Sequence, residues 1–182
     1  MTFSYPVPYV KIREISANNS ATVDITNMQT STYRFYRIIG NGIRPVNNNV
    51  ELYCRVSNNN GASFFAGATA YVVAEDLNTS AGIGPATAAG SGSAFTIMSN
   101  VSAAAGNHNM TFWMDLDLKS NQFFACRFVS FGVVSPGFIG VIRQSYGIGG
   151  YAVDTINALR FIFSAGNISI GNFTLYGYPA IV

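Results

Sequence analysis

LRFIFSAGNISIGNFTLYGY, residues 159–178, carries two apolar alternations separated by a turn. Leu159, Phe161 and Phe163 fall on one face and Arg160, Ile162 and Ser164 on the other. Beyond "AGN", Phe173, Leu175 and Gly177 repeat the pattern. A period of two is the mark of a strand with one buried face, and Gly and Asn supply the turn. The stretch predicts a hairpin or two consecutive strands near the end of the chain.

Working outward, about ten similar runs of β-branched and aromatic residues recur between Asn, Gly and Pro clusters, among them "YVKIREI", "YRFYRII", "VELYCRV", "MTFWMDLDL" and "FFACRFVSF". Two of them alternate strictly. Val50, Leu52, Cys54 and Val56 oppose Glu51, Tyr53 and Arg55, and Phe112, Met114, Leu116 and Leu118 oppose Trp113, Asp115 and Asp117. One apolar face per strand, with no competing helical stripe, predicts an all-β antiparallel sandwich or barrel, of which the antiparallel β-sandwich is the form expected. The 182 residues fit a single domain spanning 1–182. The small-residue stretch 78–94, "NTSAGIGPATAAGSGSA", predicts a loop, as does "NVSAAAGNHN" at 100–109. "NNNG" at 58–61 and "SAGN" at 164–167 supply residues that tolerate positive φ.

Composition narrows the function classes. Charged residues make up 10% of the chain and aromatics 14%, so the surface is finished with Asn, Ser, Thr and Gly or lies against partners. A net charge of +2, carried by scattered Lys and Arg, disfavours nucleic acid. No uninterrupted apolar run approaches the roughly 20 residues of a spanning helix, so no membrane is expected. Residues 1–16 place Pro6, Pro8, Lys11, Arg13 and Glu14 where a secretion leader would carry its apolar core, and no leader is expected. Cys54 and Cys126 sit on apolar faces without C-x-x-C spacing, which predicts buried thiols rather than a metal site or a disulfide.

Candidate chemistry is sparse. The single histidine, His108, lies in a small-residue loop with no nucleophile or acid at useful spacing, and no catalytic residue, cofactor or metal is expected. Asp115 and Asp117 share an outward face, but no third acidic ligand or glycine-rich metal loop accompanies them. Glu75 and Asp76 read as a strand end, and "YGIGGY" at 146–151 as a turn, because no helix with a Lys or Asp partner follows it. Trp113, Tyr53, Tyr33 and Tyr36 matter more, since alternation can turn some of them outward, where aromatics anchor protein interfaces or stack on sugars.

Residues 33–73, "YRFYRIIGNGIRPVNNNVELYCRVSNNNGASFFAGATAYVV", and 156–178, "INALRFIFSAGNISIGNFTLYGY", resemble two blocks that bracket a β-rich domain in small bacteriophage virion structural proteins. In the first block the matches are Tyr33, Phe35, Pro45, Val50, Leu52, Arg55, Ser57, Gly61 and Phe64. In the second they are Leu159, Arg160, Phe161, Phe163, Ser164, Gly166, Asn167, Ile168, Gly171, Leu175, Tyr176 and Gly177. The matches cover about a third of the chain and are strand and turn residues. Asn58, Asn59 and Asn60 stand where that class carries an acidic turn residue, so no acidic or metal-binding role is carried over. The resemblance implies a jelly-roll-like particle component assembled in the bacterial cytoplasm.

The resulting expectation is a non-enzymatic virion protein, a homotrimer that decorates and cements a capsid by binding the major capsid protein, or another virion protein as a small tail appendage. Residues 1–9 form its extended arm, because Pro6 and Pro8 cannot pair as an inner strand. Phe3, Tyr5, Pro6, Pro8 and Tyr9 are the first expected partner contacts, followed by the loop at 78–94. The alternative from a different class is a tail receptor-binding or carbohydrate-binding module in which Trp113 and Asp115 meet a host glycan.

Overall fold

The computed structural model describes residues 9–28, 32–67, 70–79, 82–83, 87–103, 109–117, 124–134, 139–149 and 156–179. These residues form strands and no helix. In chain order the strands are β1 (Val10–Ser20), β2 (Val23–Ile25), β3 (Tyr33–Pro45), β4 (Val50–Ser57), β5 (Tyr71–Thr79), β6 (Gly82–Ile83) and β7 (Thr87–Gly92). They continue with β8 (Phe95–Val101), β9 (Met110–Asp117), β10 (Phe124–Val134), β11 (Ile139–Gly149), β12 (Ala158–Phe163) and β13 (Ile168–Pro179). All pairings are antiparallel, and the strands divide into two sheets packed as a sandwich. The larger runs β1-β13-β3-β9-β10-β11-β5, with β6 and β7 on β5, and the smaller β8-β4-β12-β2. Among the described residues β10 and β8 are in ladder register only at Val134 and Val101, and Ser130 Oγ of β10 also donates to Ile97 O of β8 at 2.7 Å. The arrangement is compatible with a jelly roll.

The stretch 159–178 is two consecutive strands, not a hairpin. β12 pairs with β2 and β4 in the smaller sheet, and β13 with β1 and β3 in the larger. The turn between them carries the chain across the sandwich and is tied to the ends of β4 and β1. Ser164 N–H donates to Glu51 O at 2.9 Å, and Asn167 Nδ2 donates to Asn19 O at 3.0 Å. Gly166 there has φ +74°, a conformation L side chains rarely adopt.

Because β12 and β13 face each other across the core, their alternating phenylalanines meet. Phe161 and Phe173 have ring centroids 5.0 Å apart, and Phe112 of β9 completes the cluster at 5.3 Å from Phe161. All three are buried, each worth about 1.5–3 kcal/mol in removed apolar surface. Inside the larger sheet Gly40 pairs with Phe173 on one side and Phe112 on the other. A ring lies where its side chain would stand: an added Cβ would collide with Phe112 and come within 2.6 Å of Ile43 Cδ1. A second aromatic cluster joins Tyr71, Phe95 and Phe128, with Tyr71 to Phe95 at 4.7 Å. Cys54 and Cys126 are buried and not joined in a disulfide, and burial pushes the Cys54 thiol well above its ordinary value.

Tyr71 also bridges backbone. Its hydroxyl accepts from Val56 N–H and donates to Phe65 O, both at 2.9 Å. Tyr71→Phe strands a donor and an acceptor in the interior and is expected to cost about 2 kcal/mol in urea unfolding.

Elsewhere the structure departs from sequence expectation. The stretch 78–94 contains the end of β5 together with β6 and β7, which pair with β5 through backbone, although the sequence of β7 holds no residue larger than threonine. Glu75 and Asp76 lie within β5, opposite Ser145 and Gln144, rather than at its end. Tyr146–Gly149 is the last part of β11, not a turn. At 58–61 the expected turn is present, with Asn60 at φ 59° and Gly61 at φ 87°. There Asn60 and Asn27 exchange two hydrogen bonds: Asn27 N–H donates to Asn60 Oδ1 at 2.6 Å, and Asn60 Nδ2 to Asn27 Oδ1 at 2.7 Å.

Candidate functional site

The outward faces of β1, β13, β3, β9 and β10 form one continuous surface, and pairing register sets its rows. In one row Lys11, Tyr176, Arg37, Asp115 and Arg127 stand side by side across five strands. The next row runs Glu14, Thr174, Ile39, Trp113 and Val129. On the other side of the charged row Tyr178, Phe35 and Asp117 are neighbours. Strand alternation puts these side chains outward because Tyr36, Ile38, Met114 and Leu116 take the core positions between them.

Arg37 organises this face. Its Nε and Nη2 donate to the two carboxylate oxygens of Asp115 at 2.6 and 2.7 Å, a bidentate fork. That bond raises the Arg37 pKa more than partial burial lowers it, so the guanidinium stays charged. Tyr9 lies over it, with the guanidinium carbon 4.8 Å from the ring centroid, and meets Tyr178 edge-on at 5.5 Å. Trp113, half-buried, packs against Phe131 at 5.2 Å. The smaller sheet repeats the device: Arg160 grips Asp24 at 2.8 and 2.6 Å under the Phe64 ring, 4.1 Å away.

Each fork leaves about a third of its side chains exposed, so its contribution is modest. A double-mutant cycle of Arg37→Met and Asp115→Asn is expected to give a coupling of about 1 kcal/mol at ~0.1 M salt. The coupling should shrink toward zero near ~1 M, where the Debye length falls to about 3 Å.

Exposed large hydrophobic side chains gather at one end of this sheet on both of its faces: Tyr9 and Phe35 on the outward face, and Val10 and Ile12 on the face of Gly177 and Tyr36. Tyr9, at 42% exposure, precedes β1, Val10 and Ile12, at 43% and 39%, lie in its first residues, and Phe35, at 37%, is the third residue of β3. Val10 pairs with Gly177 and Phe35 with Tyr178, which brings the four to the same end of the sheet. Val46 and Ile170 are the other two exposed apolar side chains among the described residues and lie near the opposite end, where Ile170 pairs with Arg44.

Of the expected partner contacts, Tyr9 stands in this cluster, while Phe3, Tyr5, Pro6 and Pro8 lie outside the described residues, as does His108. Trp113 and Asp115 do share the outward face, but the Asp115 carboxylate is gripped by Arg37 and the Trp113 ring is engaged by Phe131. Tyr36 is turned inward at 1% exposure, and Tyr53 is half-buried with its hydroxyl donating to Glu51. Among the described residues no three His, Cys, Asp or Glu side chains converge as metal ligands. Arg37 is the residue sequence reasoning missed. Its outward position was legible in the alternation of "YRFYRII", but neither its cross-strand neighbour Tyr176 nor its partner Asp115, 78 residues away, was.

Fold and face together define an antiparallel β-sandwich with an aromatic outer sheet face, its central charges paired internally and exposed apolar side chains at one end. Neither a protein-family model nor a curated protein matches the chain.

Proposed function

We propose that this is a non-enzymatic virion structural protein, jelly-roll-like and homotrimeric, that binds neighbouring coat subunits and stabilises a capsid assembled in the bacterial cytoplasm. The observation that carries the reading is the cluster of exposed apolar side chains at one end of the sheet, Tyr9, Val10, Ile12 and Phe35. Clustered apolar side chains on an otherwise polar surface mark a binding site, whereas scattered ones do not. Burying this cluster gains roughly 25 cal/mol per Å2, and a stable interface needs about 800 Å2 per partner, more than four side chains supply. Phe3, Tyr5, Pro6 and Pro8, immediately preceding Tyr9, extend the contact. The resemblance of residues 33–73 and 156–178 to small phage virion proteins supports the same assignment.

The test mixes purified protein with particles that lack it, sediments them, and counts bound copies. Saturable binding at many copies per particle, weakened at least about tenfold by a Tyr9→Ala/Phe35→Ser double variant, is the expected result. Binding at only a few copies identifies a tail appendage in place of a capsid cement. Absence of particle binding, with host-cell binding abolished by Trp113→Ala, overturns the reading in favour of glycan recognition.

A further inference from the structure

A pocket of about 280 Å3 opens between β1, β3, β13 and the segment after β2, lined by Ile12, Arg13, Asn27, Met28, Tyr33, Tyr36 and Leu175. Local irregularity builds it. A bulge in β1 between Lys11 and Arg13 breaks the register, so that Arg13 pairs with Leu175, an inward-facing residue of β13. A guanidinium is thereby carried to the rim of the apolar interior. Arg13 is exposed and has no ion-pair partner among the described residues.

Tyr36 forms part of the wall. Its hydroxyl is buried and has no hydrogen-bond partner among the described residues, an expensive state for a polar group unless something else supplies the acceptor. Burial pushes its pKa up to about 12, so at neutral pH it is a phenol able to donate. Tyr33 meets it edge-on at 5.8 Å, and Ile12, Met28 and Leu175 supply apolar contact. The volume is that of roughly nine waters and lies at the lower limit of small-molecule sites, which selects a compact ligand.

We propose that this pocket binds a small organic acid with an apolar body, whose carboxylate pairs with Arg13 and gives the Tyr36 hydroxyl its missing acceptor. A carboxylate answers both polar groups at once. Its aromatic or branched aliphatic body fits against Ile12, Met28, Leu175 and the Tyr33 ring. A neutral ligand would leave Arg13 unanswered, and a bare inorganic anion would leave the apolar wall unfilled.

Phenylacetate and its neutral counterpart phenylacetamide are the probes, titrated into the whole chain while the methyl resonances of Met28 and Leu175 are followed. The expected result is saturable shifts with phenylacetate and at least about tenfold weaker binding of the amide. Arg13→Gln should erase that preference. Tyr36→Phe should weaken phenylacetate binding about tenfold while leaving the ligand-free thermal midpoint unchanged or higher, because it removes an unsatisfied hydroxyl. The proposal is overturned if neither probe gives saturable shifts, if acid and amide bind alike, or if Arg13→Gln leaves the preference intact. It also fails if Tyr36→Phe lowers the ligand-free midpoint, which would reveal a structural partner for the hydroxyl.

Discussion

Phe161→Ala is expected to destabilise the fold by about 3–5 kcal/mol, enough to consume much of the 5–15 kcal/mol typical of a whole domain. Phe161 is fully buried in the middle of the smaller sheet, paired with Cys54 and Val23, and its ring reaches across to Phe112 and Phe173. Truncation removes the ring's own burial and leaves a cavity between two β-sheets. A network of backbone hydrogen bonds keeps either sheet from collapsing into it. Urea unfolding monitored by tyrosine fluorescence reads the midpoint, with the slope unchanged if the effect is on the native state alone. Phe35→Ala, in the exposed cluster, serves as the contrast and should cost less than about 1 kcal/mol. Equal losses for the two would mean that the ring cluster is not the centre of the core.

Gly40→Val should be nearly as damaging, for the opposite reason. The position is overfilled already: Phe112 and Phe173 flank it in the sheet, and an added Cβ strikes Phe112 and Ile43. Overpacking of this kind costs about 3 kcal/mol where rings cannot move aside. The cause is separable from the weak strand propensity of glycine, which would make valine an improvement. In a Phe112→Leu background the penalty of Gly40→Val should fall by at least about 1 kcal/mol, because the obstructing ring is gone. An unchanged penalty would place the clash elsewhere.

How far the sequence disclosed this arrangement depends on which forces act locally. The buried faces of β4 and β9 follow from alternation alone: Leu52, Cys54, Phe112, Met114 and Leu116 are all in the core. The turn at Asn60 and Gly61 follows from the φ values those residues accept. Sheet membership does not, because Leu159 and Phe173 look alike in pattern while their partners, Val56 and Ile15, are set by chain segments far away. β7 was illegible because "TAAGSG" contains no large or β-branched residue beyond Thr87 to mark a strand, and its pairing with β5 is set by a distant segment. Within the candidate site, the outward position of Trp113 and Asp115 was readable. The fork from Arg37 was not, since a lone arginine on a strand carries no mark of the carboxylate it will meet. Tyr36 shows the same limit from inside, for its hydroxyl borders a pocket beside the bulge in β1, and no pattern around Tyr36 marks that bulge.

The division of β12 and β13 between the two sheets also constrains how the chain acquires its structure. β1 finds its pairing partner in β13, and β2 in β12, about 135–165 residues later. Closing loops of that length is slow, and folds dominated by such distant pairings form in milliseconds to seconds rather than microseconds. While the protein is being synthesised, β1 and β2 therefore wait without their partners until residues 158–179 have emerged. Completion of both sheets then falls to one short terminal segment, so folding should behave as a single late, concerted event with no stable half-sandwich preceding it.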